Sequence, residues 1–300
     1  MLALAFNALV WGVSWWPMRY LQSAGVHPLW ATAMIFIAST VMVALWRPSA
    51  VGQVLRTPAL WVLVLAAGTT NAAFNWGVAI GDVVRVVLLF YLMPLWAVVL
   101  ARWLLGEALT PLAGLRVLLA LAGAAVVLWP VHEVSGPWWQ ALPLPRTFAD
   151  WLGVLGGFTF ALNNVMLKRE AHRSQESRAM AMFAGGVLVS GVLALAASLQ
   201  GTVAWPPAAG VHWLWPVAAL SLVFLSSNLA LQYGAARLPS NVTSVVMLSE
   251  VVFAAVSAAL LGAGEITPAV LAGGALILAA AVLSTAGGTT QSVKARRADG

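Results

Sequence analysis

Asn71-Ala72-Ala73-Phe74-Asn75-Trp76-Gly77-Val78-Ala79 returns later in the chain as Asn228-Leu229-Ala230-Leu231-Gln232-Tyr233-Gly234-Ala235-Ala236. Both copies read Asn, three apolar residues, an amide, an aromatic, Gly, any residue, Ala. The same 157-residue register, held without a gap, carries Ala97 onto Ala254, Ala101 onto Ala258, Leu104 onto Leu261 and Thr110-Pro111 onto Thr267-Pro268. Only Gly106-Glu107 slips, meeting Gly264-Glu265 one place late. A single register that holds over about forty residues marks a duplicated unit.

The solvent for that unit is a bilayer. Hydrophobic residues make up 62% of the 300 residues and charged ones 8%, and the mean hydropathy is +0.92, far from the roughly 25% charge of soluble domains. Apolar stretches long enough to cross the hydrocarbon core fall at 2–22, 28–46, 59–80, 83–105, 111–130, 149–167, 178–199, 213–236, 239–262 and 268–287. The expected fold is therefore all-α and integral to the membrane, with ten transmembrane helices. The first apolar run starts at Leu2 with no basic segment before it, so it reads as a spanning helix rather than a cleaved signal.

The net charge of +6 forms no basic stripe that would suit nucleic acid, and it reads instead as a topology signal. With the N-terminus inside, twelve basic residues fall on the cytoplasmic side (Arg47, Arg56, Arg102, Arg116, Lys168, Arg169, Arg173, Arg178, Arg237, Lys294, Arg296 and Arg297) and three outside (Arg19, Arg85 and Arg146). That bias puts both termini in the cytoplasm. The expected division is a first five-helix repeat over 1–130, a Pro- and Trp-rich periplasmic linker over 131–148, a second repeat over 149–287 and a cytoplasmic tail over 288–300. An odd number of crossings makes the second copy enter from the opposite face, so the two repeats are inverted around a central cavity. Helices 1 and 6 also overlay, Trp11-Gly12-Val13-Ser14 and Arg19 on Phe160-Ala161-Leu162-Asn163 and Lys168.

Several chemistries are excluded. Without cysteine there is no disulfide, thiolate nucleophile or Cys-bound metal. His27, His132, His172 and His212 stand singly in connecting segments, so neither a metal nor any other cofactor is expected. No HExxH, GxSxG or phosphate-binding Gly-rich loop is present, and the chain does not read as an enzyme. Most of its sixteen tryptophans lie at helix ends as interfacial anchors.

Glu250 is the acid that falls mid-helix, where a carboxylate must face the bundle or a wet cavity. Thr243, Met247, Ala254 and Ser257 share its stripe at spacings of three and four. Helix 1 answers with Asn7, Trp11, Ser14 and Met18, and helix 6 with Phe160, Asn163, Asn164 and Leu167. Asn71 and Asn75 share one face of helix 3, and Asn228 and Gln232 one face of helix 8. The candidate substrate-binding set is Trp11, Ser14, Asn71, Asn75, Trp76, Tyr91, Asn163, Asn164, Asn228, Gln232, Tyr233 and Glu250. The alternative reading of the amides is helix-to-helix glue, and of Glu250 an interhelical hydrogen-bond donor. Pro94, inside helix 4, removes one backbone hydrogen bond and is the candidate hinge. Gly77, Ala79, Gly234 and Ala236 read as packing positions.

Tyr91-Leu92-Met93-Pro94, Leu104-Leu105-Gly106-Glu107 with Thr110-Pro111, and Glu250 opening Val251-Val252-Phe253-Ala254 together resemble the EamA branch of the drug/metabolite transporter superfamily, and within it most nearly the YddG-type exporters of aromatic amino acids. The resemblance implies a bacterial inner-membrane exporter working by alternating access, with helices 1–4 and 6–9 around the cavity and helices 5 and 10 peripheral. Two departures stand out. Glu250 is followed by Val251 where the second half of such proteins often has proline, so helix 9 is expected to bend less than helix 4. Helix 1 has Ser14 and no acid, unlike the small multidrug cousins, against proton-for-drug exchange by that route.

The substrate expected is an aromatic or other apolar amino acid, or a similar metabolite. The alternatives are a proton-coupled exporter of drugs or organic cations, a solute channel, and, last, a membrane-embedded transferase. The lipid bilayer is the other partner. The oligomeric state stays open, with a monomer favoured.

Overall fold

The computed structural model describes residues 1–81, 83–108, 110–127, 145–208, 210–262 and 266–298. Among the described residues the chain is helical throughout, without strands. Thirteen helices follow one another: α1 (Leu2–Ser23), α2 (Pro28–Trp46), α3 (Ser49–Arg56), α4 (Pro58–Ile80), α5 (Val83–Phe90), α6 (Met93–Leu105), α7 (Pro111–Val127), α8 (Phe148–Arg169), α9 (Gln175–Leu199), α10 (Val211–Ala235), α11 (Ser240–Met247), α12 (Glu250–Leu260) and α13 (Pro268–Ala298). Most of the linker expected at 131–148 lies outside the described residues, as do Asp82 and Gly264-Glu265. The side chains of Arg85 and of the segment after 283 lie outside them too.

Five segments are long and apolar enough to cross a membrane: Pro28–Trp46, Val86–Leu105, Gln175–Leu199, His212–Ala235 and Val242–Leu260. The bent pair α3 and α4 makes a sixth, and Pro111–Val126 and Pro268–Leu283 are shorter apolar helices. α1 and α8 fall short because polar residues dilute them, yet Asn7, Asn163 and Asn164 are all buried. Their polarity is spent inside the bundle, while Leu2, Leu45, Trp103, Leu199 and Leu260 project outward, an apolar exterior that lipid tolerates and water does not.

Local chemistry sets the boundaries. Thr147 accepts from the Asp150 backbone N–H at 3.1 Å while the Asp150 carboxylate accepts from the N–H groups of Arg146 and Thr147 at 2.8 and 3.1 Å. This capping box starts α8 one residue ahead of the expected 149. His27 caps α2 through Nδ1, which accepts from Leu29 N–H at 3.3 Å. Burial holds that imidazole below its ordinary pKa, in the neutral form the bond requires. Two features depart from expectation. α3 fills the gap left between the expected stretches 28–46 and 59–80; its Ala50 and Val54 are buried and it lies at 98° to α4, a short amphipathic helix ended at Thr57-Pro58. α13 runs on to Ala298, past the end expected at 287.

Helices 4 and 9 of the sequence reading are each broken. α5 gives way to α6 at Tyr91-Leu92 and α11 to α12 at Leu248-Ser249, positions that share the 157-residue register. Both breaks tighten into i→i−3 bonding, Leu92 N–H to Leu89 C=O at 3.3 Å and Ser249 N–H to Val246 C=O at 3.0 Å. The Ser249 hydroxyl also donates to the Val246 carbonyl at 2.7 Å, competing with the helix ladder where no proline is available. Helix 9 was expected to bend less than helix 4 for want of that proline. It breaks at the same place.

Glycine fixes two of the close crossings. A Cβ on Gly68 would lie 2.3 Å from the Gly185 carbonyl oxygen, and one on Gly185 2.1 Å from that of Val64, so α4 and α9 meet backbone to backbone. A Cβ on Gly12 would lie 2.7 Å from the Glu250 carbonyl oxygen, which seats α1 against the start of α12. α7 and α13 pair with each other.

Candidate functional site

A cavity of about 800 Å³, counted with its opening to solvent, lies inside the bundle. Its wall takes residues from α1 (Trp11), α2 (Phe36), α4 (Ala67, Thr70, Asn71, Phe74, Asn75), α5 (Phe90), α8 (Phe160, Asn163), α9 (Met182, Phe183), α10 (Phe224, Asn228, Leu231) and α12 (Glu250). Seven of these are aromatic, and Glu250 is the one ionisable side chain among them.

The aromatic rings form two groups. Trp11 stacks on Phe224 with centroids 4.6 Å apart and planes at 21°, and Phe224 meets Phe36 at 6.4 Å, which meets Phe183 at 5.8 Å. In the second group Phe90 bridges Phe74 at 4.8 Å and Phe160 at 5.7 Å. Ring pairs of this kind hold each face in a fixed direction.

The amides are partly satisfied. Asn71 donates to the Ala67 carbonyl at 2.8 Å, and Asn75 to the Thr32 hydroxyl at 2.6 Å. Asn228 donates weakly to Met182 Sδ at 3.5 Å, and its amide pairs with that of Gln232 at 2.7 Å. Asn163 is 2% exposed, and its Oδ1 accepts from nothing in the protein. A buried acceptor in that state is costly until something donates to it. Glu250 is the first residue of α12 rather than a mid-helix position. Its carboxyl group therefore sits at the positive end of the helix dipole.

The sequence-derived set divides. Trp11, Asn71, Asn75, Asn163, Asn228 and Glu250 line the cavity. Gln232 stands behind Asn228, and buried Asn164 stands behind Asn163 with neither amide atom partnered. Ser14 turns its hydroxyl back to the Trp11 carbonyl at 2.8 Å. Tyr91 is buried beside Phe90, centroids 6.0 Å apart, and is not on the wall. Trp76 packs edge-on against Phe148 at 5.5 Å. Tyr233 is 52% exposed, with the Arg237 guanidinium 3.8 Å above its ring.

The last two share a cause. Each follows an inward amide by one residue, and one residue turns an α-helix by about 100°, so amide and neighbour point to different sides. The aromatics that do reach the cavity sit three or four places away: Phe74 after Asn71, and Phe224 before Asn228. That spacing was the available signal for Phe74 and Phe224. Phe36 had Thr32 and Ser39 in register, four before and three after it, and Met182 had Arg178 four before it, a signal left unused; Phe90 and Phe183 carried no polar neighbour in register to reveal them.

The fold and cavity define a helical membrane protein with an internal, aromatic-walled, amide-lined chamber. Over residues 1–129 the chain matches the EamA-like transporter family, which makes this part of the molecule EamA-transporter-like. One solved structure, titled only as the crystal structure of a protein, shares 21% sequence identity. It superposes with a TM-score of 0.70 over 99% of this chain and 98% of that one. That likeness is one of fold. No curated protein matches the chain.

Proposed function

We propose that the protein is a carrier that exports a small amphipathic metabolite across a bacterial inner membrane by alternating access. Its ten crossings form two inverted five-helix repeats around the shared cavity. The observation that carries this is a pseudo-symmetry in the wall: Ala67 and Phe224, Asn71 and Asn228, and Phe74 and Leu231 all line it, each pair one 157-residue register apart. Phe36 and Phe183 join them, each the ninth residue of its helix. The paired helix breaks and the starts of α7 and α13 at Pro111 and Pro268 fall in the same register. The family match ends at 129, beside the expected end of the first repeat at 130. Each repeat holds an odd number of crossings, which inverts the second against the first.

An aromatic or other apolar amino acid suits this wall, as the YddG-type resemblance implies. Asn71, Asn163 and Asn228 offer neutral hydrogen bonds, and the rings of Trp11, Phe74, Phe160 and Phe224 meet the side chain. A second reading is favoured by one observation: Glu250 is the lone ionisable group on the described wall. An amine can pair with Glu250 and lie over an aromatic face, but the substrate's carboxylate meets no cation. The solute would then be an organic cation.

Counterflow in proteoliposomes separates these readings. Stimulated, saturable uptake of phenylalanine supports the amino acid exporter. The same with phenethylamine alone supports the cation reading. Passage of both without saturation or trans-stimulation would mean a channel and end the carrier proposal.

A further inference from the structure

Beyond the cavity, toward the end of the bundle that carries most of the basic residues, the chain holds a second set of polar groups. Lys168, near the end of α8, donates to the Glu107 carboxylate at 2.7 Å, and the same Oε1 lies 3.4 Å from the backbone N and from the hydroxyl of Ser240, the first residue of α11. Glu107 follows the end of α6, so one carboxylate ties three helix ends together, with its charge at the N-terminus of α11.

Because Glu107 touches both Lys168 and Ser240, the faces of α8 and α11 that carry those residues are turned toward each other. One turn deeper on the same faces stand Asn164, four residues before Lys168, and Thr243 and Ser244, three and four after Ser240. All three are buried, at 1%, 0% and 0% exposure. Both amide atoms of Asn164, Thr243 Oγ1 and Ser244 Oγ have no hydrogen-bond partner in the protein. Serines and threonines in apolar helices ordinarily bond back to the carbonyl four residues earlier, as Thr70, Thr159, Ser39 and Ser221 do here. Thr243 and Ser244 do not. The seam leads from Asn163, on the cavity wall, to the Lys168–Glu107 pair.

The packing is asymmetric in the same sense. Exchanging the repeats would turn the α8–α11 and α6–α11 contacts into α1–α5 and α12–α5 contacts. The first two pairs are packed, and among the described residues the other two make no comparable contact. One end of the molecule is closed where its counterpart is not.

We infer that the seam between α8 and α11 is the cytoplasmic half of the solute's path in its closed state. Asn164, Thr243 and Ser244 line it, and the Lys168–Glu107–Ser240 cluster latches it shut. When the latch parts, water and solute supply the partners these groups lack. This inference rests on the carrier reading for its direction, but its test needs no solute.

The chain contains no cysteine, so a Thr243→Cys variant carries a single thiol. In inside-out vesicles it is treated with the small, membrane-impermeant trimethylammonium methanethiosulfonate. Labelling is expected to be slow with the latch intact and about fivefold faster with Lys168→Met or Glu107→Gln added, the shift that loss of a partly exposed ion pair produces. The charge exchange Lys168→Glu with Glu107→Lys returns it to the slow rate. Fast labelling with the latch intact, no change on breaking it, or a charge exchange that stays fast would each overturn the latch. Failure of counterflow with labelling as expected would instead sink the carrier reading and leave the gated seam in place.

Discussion

Glu250 concentrates the chemistry of the cavity in one carboxyl group. It stands at the start of α12 and shares its chamber with seven aromatic rings and four asparagine side chains. If it pairs with a transported amine or carries a coupling proton, Glu250→Gln keeps the shape and removes the charge. The expected outcome is loss of any response of counterflow to an imposed pH gradient and a fall of about tenfold in uptake of phenethylamine, the loss of one charge-assisted contact. Unchanged transport and pH response would reduce Glu250 to an interhelical hydrogen-bond donor. At this scale the sequence was half legible. Spacing of three and four found the inward amides, because that period is imposed by helix geometry, whereas adjacency to an amide misplaced Trp76 and Tyr233, because neighbours in a helix diverge. The Phe90 and Phe183 surface was illegible, since an aromatic facing a cavity and one facing lipid leave the same trace in an apolar helix.

Between elements, backbone proximity carries the packing. The α4–α9 crossing leaves no room for a methyl group at Gly185, whose added carbon would press on the Val64 carbonyl. Gly185→Ala is expected to cost about 1–3 kcal/mol by overpacking, read as a lower midpoint in thermal unfolding of the detergent-solubilised protein. Gly114, where an added Cβ meets nothing within 4 Å, is the control, and equal effects at both sites would remove the argument. The helix breaks invite a second test. Pro94 is the second residue of α6, where a missing N–H is tolerated, and its register partner Val251 follows a break without any proline. Pro94→Val is therefore expected to fold and to transport within about twofold of the parent. A tenfold loss of rate with unchanged stability would restore Pro94 as a hinge. Sequence placed the starts of the apolar segments within a few residues of helix starts because hydropathy and turn residues mark them. It missed the break at Leu248-Ser249 because a serine hydroxyl bonding to the previous turn leaves no such mark, and α3 because eight residues are too few to show their period.

For the molecule as a whole, the issue is which face the chamber meets. Two repeats of related sequence have a related fold, yet α11 is clamped between α6 and α8 while α5 lacks the matching contacts with α12 and α1. In the proposed inverted repeat, identical halves would give a chamber blocked or open at both ends, so the difference between them is what would give the chamber a single mouth. In the proposed orientation, which assigns the basic residues to the cytoplasm, that mouth would face the periplasm. The Asn71→Cys variant, its thiol on the cavity wall, is expected to react with impermeant methanethiosulfonate added to the outside of right-side-out vesicles. Applied to inside-out vesicles, the reagent should react at least about tenfold more slowly, as a minor inward-open population allows. Saturating solute on the cytoplasmic side should narrow that gap, because a solute that binds the inward-open form draws population toward it. Equal labelling from both faces would mean a continuous pore, and faster labelling from the cytoplasm would mean that the closed end lies on the periplasmic side.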